Sequence, residues 1–288
     1  MTVQDLPPLP KARVDEAVRS ALTEDLSDAG DLTSTAVLST GARAHAQIIA
    51  RETGCVAGLD LVSASFHAID PDLGVTLQSS DGASVSNGQV LVDIKGNARA
   101  MLAAERVALN FLGHLSGIAS ATSNIVQAIS GFKTKVCCTR KTTPGLRIFE
   151  KHAVRAGGGY NHRFGLYDGI LIKDNHIAMA GGIGPAIEAA LAQRGHMVKI
   201  EVEVDNLDQL EYALTYPIDA VLLDNMTPEQ LTLAVKTING RVISEASGRI
   251  TLESAAAIAA SGVDYISVGW ITHSAPCLDF GLDYTSTV

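Results

Sequence analysis

VKIEVEV at residues 198–204 is a run of β-branched residues interrupted by carboxylates, and a helical pattern follows it at residues 207–216. The same unit recurs through the second half of the chain. The predicted strands are residues 135–139, 169–173, 198–204, 219–224, 241–245 and 264–269, and the predicted helices are residues 184–193, 207–216, 228–238 and 252–260. Strands that alternate with helices indicate a parallel sheet, and this repetition favours a full or partial α/β barrel. An open Rossmann sheet is less favoured, because no Gly-x-Gly-x-x-Gly fingerprint follows any of these runs.

The first half of the chain has a different pattern. Residues 14–22 show helical spacing, and residues 42–95 alternate apolar and polar positions as a small antiparallel sheet does. Residues 99–129 then have the pattern of a long helix that connects to the second half, with Gly113 and Gly117 as places where it can break. The sequence therefore predicts two domains of different architecture.

Composition excludes several classes of protein. The 288 residues carry a formal net charge of −9 and are 47% hydrophobic, which is typical of a globular protein without affinity for nucleic acids. No apolar run approaches the roughly 20 residues that cross a bilayer, and the N-terminus lacks the pattern of a signal peptide. The four cysteines form no CxxC pair, so we expect reduced thiols and a cytoplasmic protein. Cys138 keeps a second interpretation as a reactive thiol, because two cations follow it closely.

One segment contradicts the acidic composition. Residues 133–173 contain nine of the 22 Lys and Arg residues and only two acids, Glu150 and Asp168. Such a concentration of cations among apolar runs and glycines predicts a pocket for a small, strongly anionic ligand. The cations expected in the site are Arg140, Lys141, Arg163 and Lys173, and those expected at the surface are Lys133, Arg147, Lys151 and Arg155.

The predicted strands end in polar or small residues. These ends are residues 139–141, 173–176, 203, 224–225, 247–248 and 269. The carboxyl ends of barrel strands lie at one face, so the series predicts a single site. For each residue taken alone, a charge that caps the strand at the solvent edge is an equal alternative.

The strand ends offer three kinds of chemistry. The donors suited to carboxylates or phosphates are Arg140, Lys141, His162, Arg163 and Lys173. Glu203 and Asp224 fall on neighbouring strands and suit sugar hydroxyls or a hydrated Mg²⁺; Glu203 is preferred to Glu201 because it lies nearer the strand end. Residues 244–248 and 267–269 are short on charge and rich in small residues, which predicts phosphate binding through backbone N–H groups, with an ordinary glycine turn as the alternative.

Longer motifs, in order along the chain, resemble those of the quinolinate phosphoribosyltransferase family (nicotinate-nucleotide pyrophosphorylase, carboxylating). They are ALTEDL (21–26), GDLT (30–33), ERVALN (105–110), TRKTTPG (139–145), GGGYNHR (157–163), IKDNH (172–176), EVE (201–203), LLDN (222–225), SVG (267–269) and THS (272–274). The resemblance implies an N-terminal α/β sandwich with an antiparallel sheet at residues 1–116, rejoined by residues 277–288, and an open, TIM-like α/β barrel at residues 117–276. It also implies that phosphoribosyl pyrophosphate (PRPP) and quinolinate, with Mg²⁺, give nicotinate mononucleotide, pyrophosphate and CO₂.

The resemblance assigns roles to single residues. Those that would hold quinolinate are Thr139, Arg140, His162, Arg163 and Lys173. Arg106 would enter the same pocket from the second subunit of a homodimer with shared sites, and a higher oligomer stays open. The catalytic residues, which would also contact PRPP or its Mg²⁺, are Lys141, Glu203 and Asp224. The other PRPP contacts would be Ser247, Gly248, Arg249, Val268, Gly269, Trp270 and His273.

Two positions depart from the family's pattern, and they leave alternatives open. Arg249 and Trp270 stand where the family usually has smaller residues. They either tighten phosphate binding or mark a relative with another substrate, such as the paralogue associated with molybdenum transport. A Schiff-base lyase that uses Lys173, at the end of a barrel strand, is another enzyme interpretation. A non-catalytic anion-binding protein is the third, although the intact Glu203 and Asp224 argue against it.

Overall fold

The computed structural model describes residues 6–287, whose contacts divide them into two compact units. The first unit comprises the described residues up to Ser123, the segment Ile148–Gly158 and the residues from Ser274 onwards. The second comprises Asn124–Arg147 and Gly159–His273.

Helices and strands are interspersed along the whole described chain. The first part of the chain forms α1 (Lys11–Leu26), α2 (Leu32–Val37), β1 (Arg43–Ala50), β2 (Gly54–Cys55), α3 (Leu59–Ile69), β3 (Gly74–Leu77), β4 (Ser84–Val85), β5 (Val90–Asn97), α4 (Ala98–Ala128), β6 (Lys135–Cys137) and α5 (Arg147–Ala156). The rest forms β7 (Ile170–Ile172), α6 (Asp174–Met179), α7 (Ile183–Gln193), β8 (Ile200–Val204), α8 (Leu207–Ala213), β9 (Ala220–Asp224), α9 (Pro228–Ile238), β10 (Ile243–Ser247), α10 (Leu252–Ala259), β11 (Tyr265–Ser267), α11 (Trp270–His273) and β12 (Phe280–Thr287). Within residues 6–287, no helix is both long enough and apolar enough to cross a membrane.

The second unit is built on a parallel sheet of six strands with the order β7-β8-β9-β10-β11-β6. The order follows the chain from β7 to β11 and then returns to β6, so the last strand pairs with the first. Beyond β6, Cys137 forms a further parallel bridge with Tyr160. This is the arrangement of a partial α/β barrel. The six predicted strands and the four predicted helices between them are confirmed, with boundaries shifted by a few residues.

The local sequence explains these elements. Val202 of β8 and Val221 of β9 are completely buried, as expected for parallel strands whose faces are both covered. α9 begins after Thr227, whose side chain accepts the N–H of Gln230, and Pro228 occupies the first helical position, where a missing N–H has no cost. Strand and helix patterns therefore agree with the barrel along this part of the chain.

The first unit contains an antiparallel sheet with the order β12-β1-β5-β3. Ile48 of β1, Ile94 of β5 and Phe66 of α3 belong to one buried apolar cluster, together with Met101 of α4. β12 pairs with β1, so the C-terminal strand completes this sheet. The sheet and two helices thus share a single core.

Two predictions for the first half are wrong. α4 runs without interruption through Gly113 and Gly117, because these glycines serve close packing. A Cβ on Gly117 would lie 2.1 Å from the carbonyl oxygen of Pro276, and the N–H of Leu278 donates to the carbonyl oxygen of Gly113 at 3.0 Å. Residues 42–95 are not sheet alone, since α3 lies inside this range with its apolar residues at helical spacing.

One helix differs from the predicted domain division. α5 lies within residues 117–276, the predicted barrel, but from Ile148 onwards it belongs to the first unit. Its Glu150 and Lys151 are completely buried, and Glu150 forms a hydrogen bond of 2.8 Å with His114 of α4. The prediction of a surface charge at Lys151 is therefore wrong, because this side chain is completely buried.

Candidate active site

The sheet order brings the polar strand ends of the second unit to one face. Asp224 at the end of β9 pairs in register with Ser247 at the end of β10. Glu203 of β8 pairs with Leu222, two residues before Asp224. Because all six strands are parallel, their carboxyl ends and the loops that follow share this face.

Two guanidinium groups, which we call the arginine pair, are Arg140 and Arg163. Arg163 donates from Nη1 to the carbonyl oxygen of Gly169 at 2.9 Å. Burial, and then the charge of Arg140, lower the pKa of Arg163 below its usual value. The Nε of Arg140 is buried and has no hydrogen-bond partner among residues 6–287. Because a buried donor without an acceptor and two neighbouring like charges are both costly, the arginine pair is suited to an anionic ligand.

His162 uses both of its ring nitrogens within the chain. Nδ1 accepts the backbone N–H of Arg163 at 2.8 Å. Nε2 lies 2.8 Å from Oε2 of Glu201 and 3.7 Å from Oε1 of Glu245. Because Nδ1 is an acceptor here, the ring proton lies on Nε2 and is directed at Glu201. His162, a predicted quinolinate ligand, is thus next to the arginine pair, but its nitrogens already have partners.

Glu245 had no predicted role for its side chain: it closed the predicted strand and lay in residues 244–248, which were predicted to bind phosphate through backbone N–H groups. In the structure β10 continues to Ser247, so Glu245 lies in mid-strand and is only 5% exposed. Burial, and then the charge of Glu201, raise the pKa of the Glu245 carboxyl to about 7. The signal in the sequence was the alternation of side chains along a strand, which places Glu245 and Ser247 on one face, as it does Glu201 and Glu203.

We call His162, Glu201 and Glu245 the buried triad. Their possible ligand atoms lie within 4.8 Å of one another, which makes the triad the candidate metal-binding group among the described residues. However, the 2.8 Å between Nε2 of His162 and Oε2 of Glu201 is a hydrogen-bond distance. The proton in that bond occupies the space where a cation would lie, so the observed arrangement is one of shared protons.

The two acids predicted to act at the sugar are held by neighbouring side chains. Oε2 of Glu203 accepts from Nζ of Lys173 at 2.6 Å. Oδ2 of Asp224 accepts from the side-chain amide of Asn225 at 2.6 Å, and the N–H of Asn225 donates to the carbonyl oxygen of Ser247 at 2.9 Å. Each bond uses one carboxylate oxygen, so the second oxygen can accept from a hydroxyl group or bind a cation.

The loop after β10 requires glycine at one position. Gly248 has φ +107°, and a Cβ there would lie 2.3 Å from Oδ1 of Asn225. Arg249 follows in the left-handed region with φ +51°, and its side chain is exposed. The indole N–H of Trp270 donates to the carbonyl oxygen of Ile250 at 2.9 Å. Trp270 therefore connects the loops that follow β10 and β11.

The loop after β11 lies against Lys141. A Cβ on Gly269 would lie 3.0 Å from Cδ of Lys141 and 3.7 Å from Nε2 of His273. The N–H of Lys141 donates to Oγ1 of Thr139 at 3.0 Å, and its carbonyl oxygen accepts from the hydroxyl of Thr272 at 2.8 Å. The structure therefore brings these predicted residues together and adds Thr272, which was not predicted.

Two predicted site residues differ from the others in placement. Val268 is 1% exposed and its N–H donates to the carbonyl oxygen of Cys137 at 2.9 Å, so neither its side chain nor its amide faces a ligand. Arg106 is exposed on α4 and belongs to the first unit.

Comparisons with known proteins agree with this fold. The family profile "Quinolinate phosphoribosyl transferase, N-terminal domain" matches residues 31–116, and that of the C-terminal domain matches residues 118–283. A Bacillus subtilis protein named as a probable nicotinate-nucleotide pyrophosphorylase (carboxylating) is 45% identical over 256 residues, which cover 89% of this chain and 88% of the relative. The Mycobacterium leprae protein of that name is 43% identical, with 93% and 96% covered.

A solved structure supports the same assignment. The nicotinate-nucleotide pyrophosphorylase from Francisella tularensis superimposes with a TM-score of 0.93 at 40% identity, covering 98% of this chain and 99% of the other. Fold and site together define an α/β-barrel enzyme for anionic substrates. The chain belongs to the quinolinate phosphoribosyltransferase family.

Proposed function

We propose that the protein transfers the phosphoribosyl group of PRPP to quinolinate with loss of CO₂, giving nicotinate mononucleotide and pyrophosphate. Both family domains match, and relatives named for this chemistry align over most of the chain. Nicotinate mononucleotide is a precursor of NAD, so the proposed role is a step in NAD biosynthesis.

One observation carries the proposal, the buried Nε of Arg140 that has no partner beside a second guanidinium group. A pyridine dicarboxylate would supply the missing acceptor and offset the repulsion within the arginine pair. The planar guanidinium group holds a carboxylate in a fixed orientation, which positions the pyridine ring. Thr139, which follows β6, and Lys173, which follows β7, extend the proposed pocket.

The proposed reaction separates charge at the sugar. Pyrophosphate leaves C1 of the ribose with the bonding electrons, and the pyridine nitrogen forms the new bond to C1. Glu203 and Asp224 would stabilise the positive sugar, and Lys141 would stabilise the departing pyrophosphate. The bond to the 2-carboxylate then breaks and CO₂ leaves, while the bonding electrons stay on C2, where the adjacent cationic nitrogen stabilises them until C2 takes a proton from water. The contribution of the protein is positioning and electrostatics.

We assign the 5′-phosphate of PRPP to the loops after β10 and β11. Gly248 and Gly269 leave space where a side chain would collide with Asn225 or Lys141. The backbone can therefore approach a phosphate closely, and His273 adds a polar group beside it.

We propose Mg²⁺ as the cofactor. Mg²⁺ usually binds one or two carboxylates together with substrate phosphates, and the second oxygens of Glu203 and Asp224 fit that donor set. The ion would neutralise charge on the pyrophosphate. We expect turnover to require Mg²⁺ even at saturating PRPP. In Asp224→Ala this dependence of turnover on Mg²⁺ should be lost. Both results together would support the assignment.

We propose a homodimer in which Arg106 of one subunit completes the site of the other. Arg106 is exposed on its helix. In the second unit Leu166 and Tyr167, which follow the GGGYNHR motif, are 73% and 83% exposed. Exposure of two neighbouring large apolar side chains is unusual at a protein surface. A partner subunit would cover them. Mixing Arg106→Ala subunits with Arg140→Ala subunits tests this, because shared sites restore one intact site per heterodimer.

The decisive experiment incubates the purified protein with PRPP, Mg²⁺ and either quinolinate or nicotinate. We expect nicotinate mononucleotide and stoichiometric CO₂ from quinolinate and little product from nicotinate, because only quinolinate satisfies both guanidinium groups. Faster turnover of another pyridine or acid would contradict the proposal and favour the paralogue with a different substrate.

The Schiff-base alternative is less favoured. An imine forms at an amine that is free to attack a carbonyl group, whereas Nζ of Lys173 already donates to Oε2 of Glu203 at 2.6 Å. Borohydride reduction with keto acids should therefore leave Lys173 unlabelled.

We propose a cytoplasmic location. The four cysteines, all within the described residues, form no disulfide bond, and Cys55, Cys137 and Cys138 are buried. Free thiols are typical of reducing compartments. Burial also disfavours the interpretation of Cys138 as a reactive thiol. Cell fractionation with a specific antibody tests the location.

A further inference from the structure

The buried triad contains an acid that the proposed reaction does not use. Within the part of the chain that the structure describes, Oε1 of Glu245 is buried without a hydrogen-bond partner. The groups that face its carboxyl are Glu201 on β8, the imidazole of His162, the Cys137 thiol on β6 and the Ser267 hydroxyl on β11. Burial holds the pKa of Cys137 well above its usual value, so this neighbour stays uncharged.

Only one of the two triad carboxyls has a close hydrogen bond from His162. Glu201 receives it at 2.8 Å, whereas Oε1 of Glu245 stands 3.7 Å from the same nitrogen. Two carboxylates this close in a buried site do not both ionise at neutral pH without a large cost. Burial, and then the charge of Glu201, raise the pKa of Glu245, so Glu245 is the member that keeps a proton.

The triad is connected to the arginine pair in two ways. Nδ1 of His162 accepts the backbone N–H of Arg163, so the imidazole orients the chain at that residue. The charge of Glu201 also acts on the Arg163 guanidinium group and favours its protonated form. A second negative charge at Glu245 would reduce the positive potential of the pocket and displace His162 from its hydrogen bonds.

We propose that Glu245 is a positioning residue of the anion pocket, which binds a dicarboxylate tightly while Glu245 is a neutral acid and loses affinity when Glu245 ionises. The inference rests on the proposed assignment of quinolinate to the arginine pair. Glu245 acts through His162 and Glu201 and does not touch the ligand.

The direction of the pH effect follows from linkage. A bound dianion disfavours a further negative charge nearby, so binding should draw a proton from solvent onto Glu245 where that group is partly ionised. The pKa of Glu245 is about 7, so uptake should be greatest between about pH 7 and pH 8 and should vanish near pH 5. Quinolinate affinity should fall as the pH rises through this range, by at most about tenfold per pH unit.

Isothermal titration calorimetry with quinolinate measures this proton directly. Titrations at about pH 5.5, 7 and 8, each in two buffers of different ionisation enthalpy, give the number of protons taken up per ligand. We expect a substantial fraction of a proton at about pH 7 to 8 for the wild type. Glu245→Gln, which keeps the shape and the neutral form, should show none and should bind with nearly the same affinity at all three pH values. Glu211→Gln removes an exposed carboxylate of α8 and should match the wild type.

The outcomes separate the two proposals. A wild type that binds no quinolinate would contradict the proposed function. Binding with the same proton uptake in Glu245→Gln would overturn the role of Glu245 alone and would point to His162 as the titrating group. If Glu245→Gln does not fold, Glu201→Gln applies instead, because removal of the neighbouring charge should move the uptake to lower pH; an unchanged pH profile there would overturn the inference.

Discussion

The face of the second unit formed by the carboxyl ends of its strands has two regions, and these are suited to anions by different means. The arginine pair offers charged side chains, one with a buried donor that lacks an acceptor, and the buried triad lies next to it. The loops after β10 and β11 instead offer backbone, with glycine where a Cβ would collide and a tryptophan that connects the loops. One region relies on charge and the other on shape.

The difference has a physical consequence for each region. Charged side chains in a partly buried pocket interact with one another, so their binding strength depends on pH and on every nearby carboxyl. Backbone N–H groups do not titrate, so loops of this kind depend on conformation and not on protonation. Substitutions should therefore have separable signatures, a change in pH dependence for the first region and a change in PRPP affinity for the second.

Loss of Arg140 should have the largest effect on the arginine pair. We expect Arg140→Ala to lower kcat/KM for quinolinate by roughly 100-fold, which corresponds to about 3 kcal/mol, because the dicarboxylate loses a charge-assisted partner. Steady-state kinetics at varied quinolinate measure the effect. Lys133→Ala removes an exposed cation of the same basic segment and should retain wild-type kinetics. An Arg140→Ala enzyme within a few fold of wild type would refute the assignment.

The buried triad should also affect folding stability, through Glu245. The pKa of Glu245 is about 7 in the folded protein, above the roughly 4.3 of an unfolded chain, so the folded state binds more protons between these values. The Glu245 contribution to stability is therefore present below about pH 4 and is lost as the pH rises to about 7. Glu245→Gln removes this loss and should be more stable than wild type at about pH 8 by on the order of 3 kcal/mol.

Urea unfolding of both proteins at about pH 5 and pH 8 measures this difference. The gain should be clearly smaller at the lower pH, where wild-type Glu245 is mostly protonated. Glu211→Gln, at an exposed position, should give no such pH dependence. An equal gain for Glu245→Gln at both pH values would mean that the carboxyl is not titrating in this range.

The sequence predicted the barrel well because strand and helix patterns there are repetitive and local. Strand ends inferred from the same pattern also located Arg140, Glu203 and Asp224 at one face. Helix α3 was not predicted, since its residues follow a sheet pattern on both sides and a short apolar helix resembles a strand. The continuity of α4 depends on distant chain at Pro276, which no local pattern contains.

The site was harder to predict where burial decides the chemistry. Glu245 lies inside the barrel because β10 extends two residues beyond the predicted end. Its pKa is raised by burial and then by the charge of Glu201, across the intervening strand β9. Lys151 belonged to a basic segment and yet is buried in the first unit. Composition shows which charges are available, but only the packing of several elements determines which of them face water.

A single added methyl group should disrupt the loop after β10. Gly248→Ala combines φ +107° with a Cβ 2.3 Å from Oδ1 of Asn225, so we expect a loss of about 2 kcal/mol in stability and a KM for PRPP raised about tenfold or more. Gly240→Ala is the matched control, because that glycine also has a positive φ of +72° but open space around it. The Gly240→Ala variant should lose stability but keep the wild-type KM for PRPP. Equal kinetics in both variants would show that the loop after β10 does not contact PRPP.

The smallest expected effect is at the tryptophan that connects the loops. Trp270→Phe keeps an aromatic ring but removes the N–H that donates to Ile250 at 2.9 Å, so the loops lose one hydrogen bond, worth about 1 kcal/mol. We expect the KM for PRPP to rise about fivefold with the KM for quinolinate and the pH profile unchanged. Tyr212→Phe, which removes a side-chain hydrogen bond on α8, should change neither constant. A parallel rise in both KM values would mean that charge and shape are not separable in this site, since a bond between two loops would then also control the arginine pair.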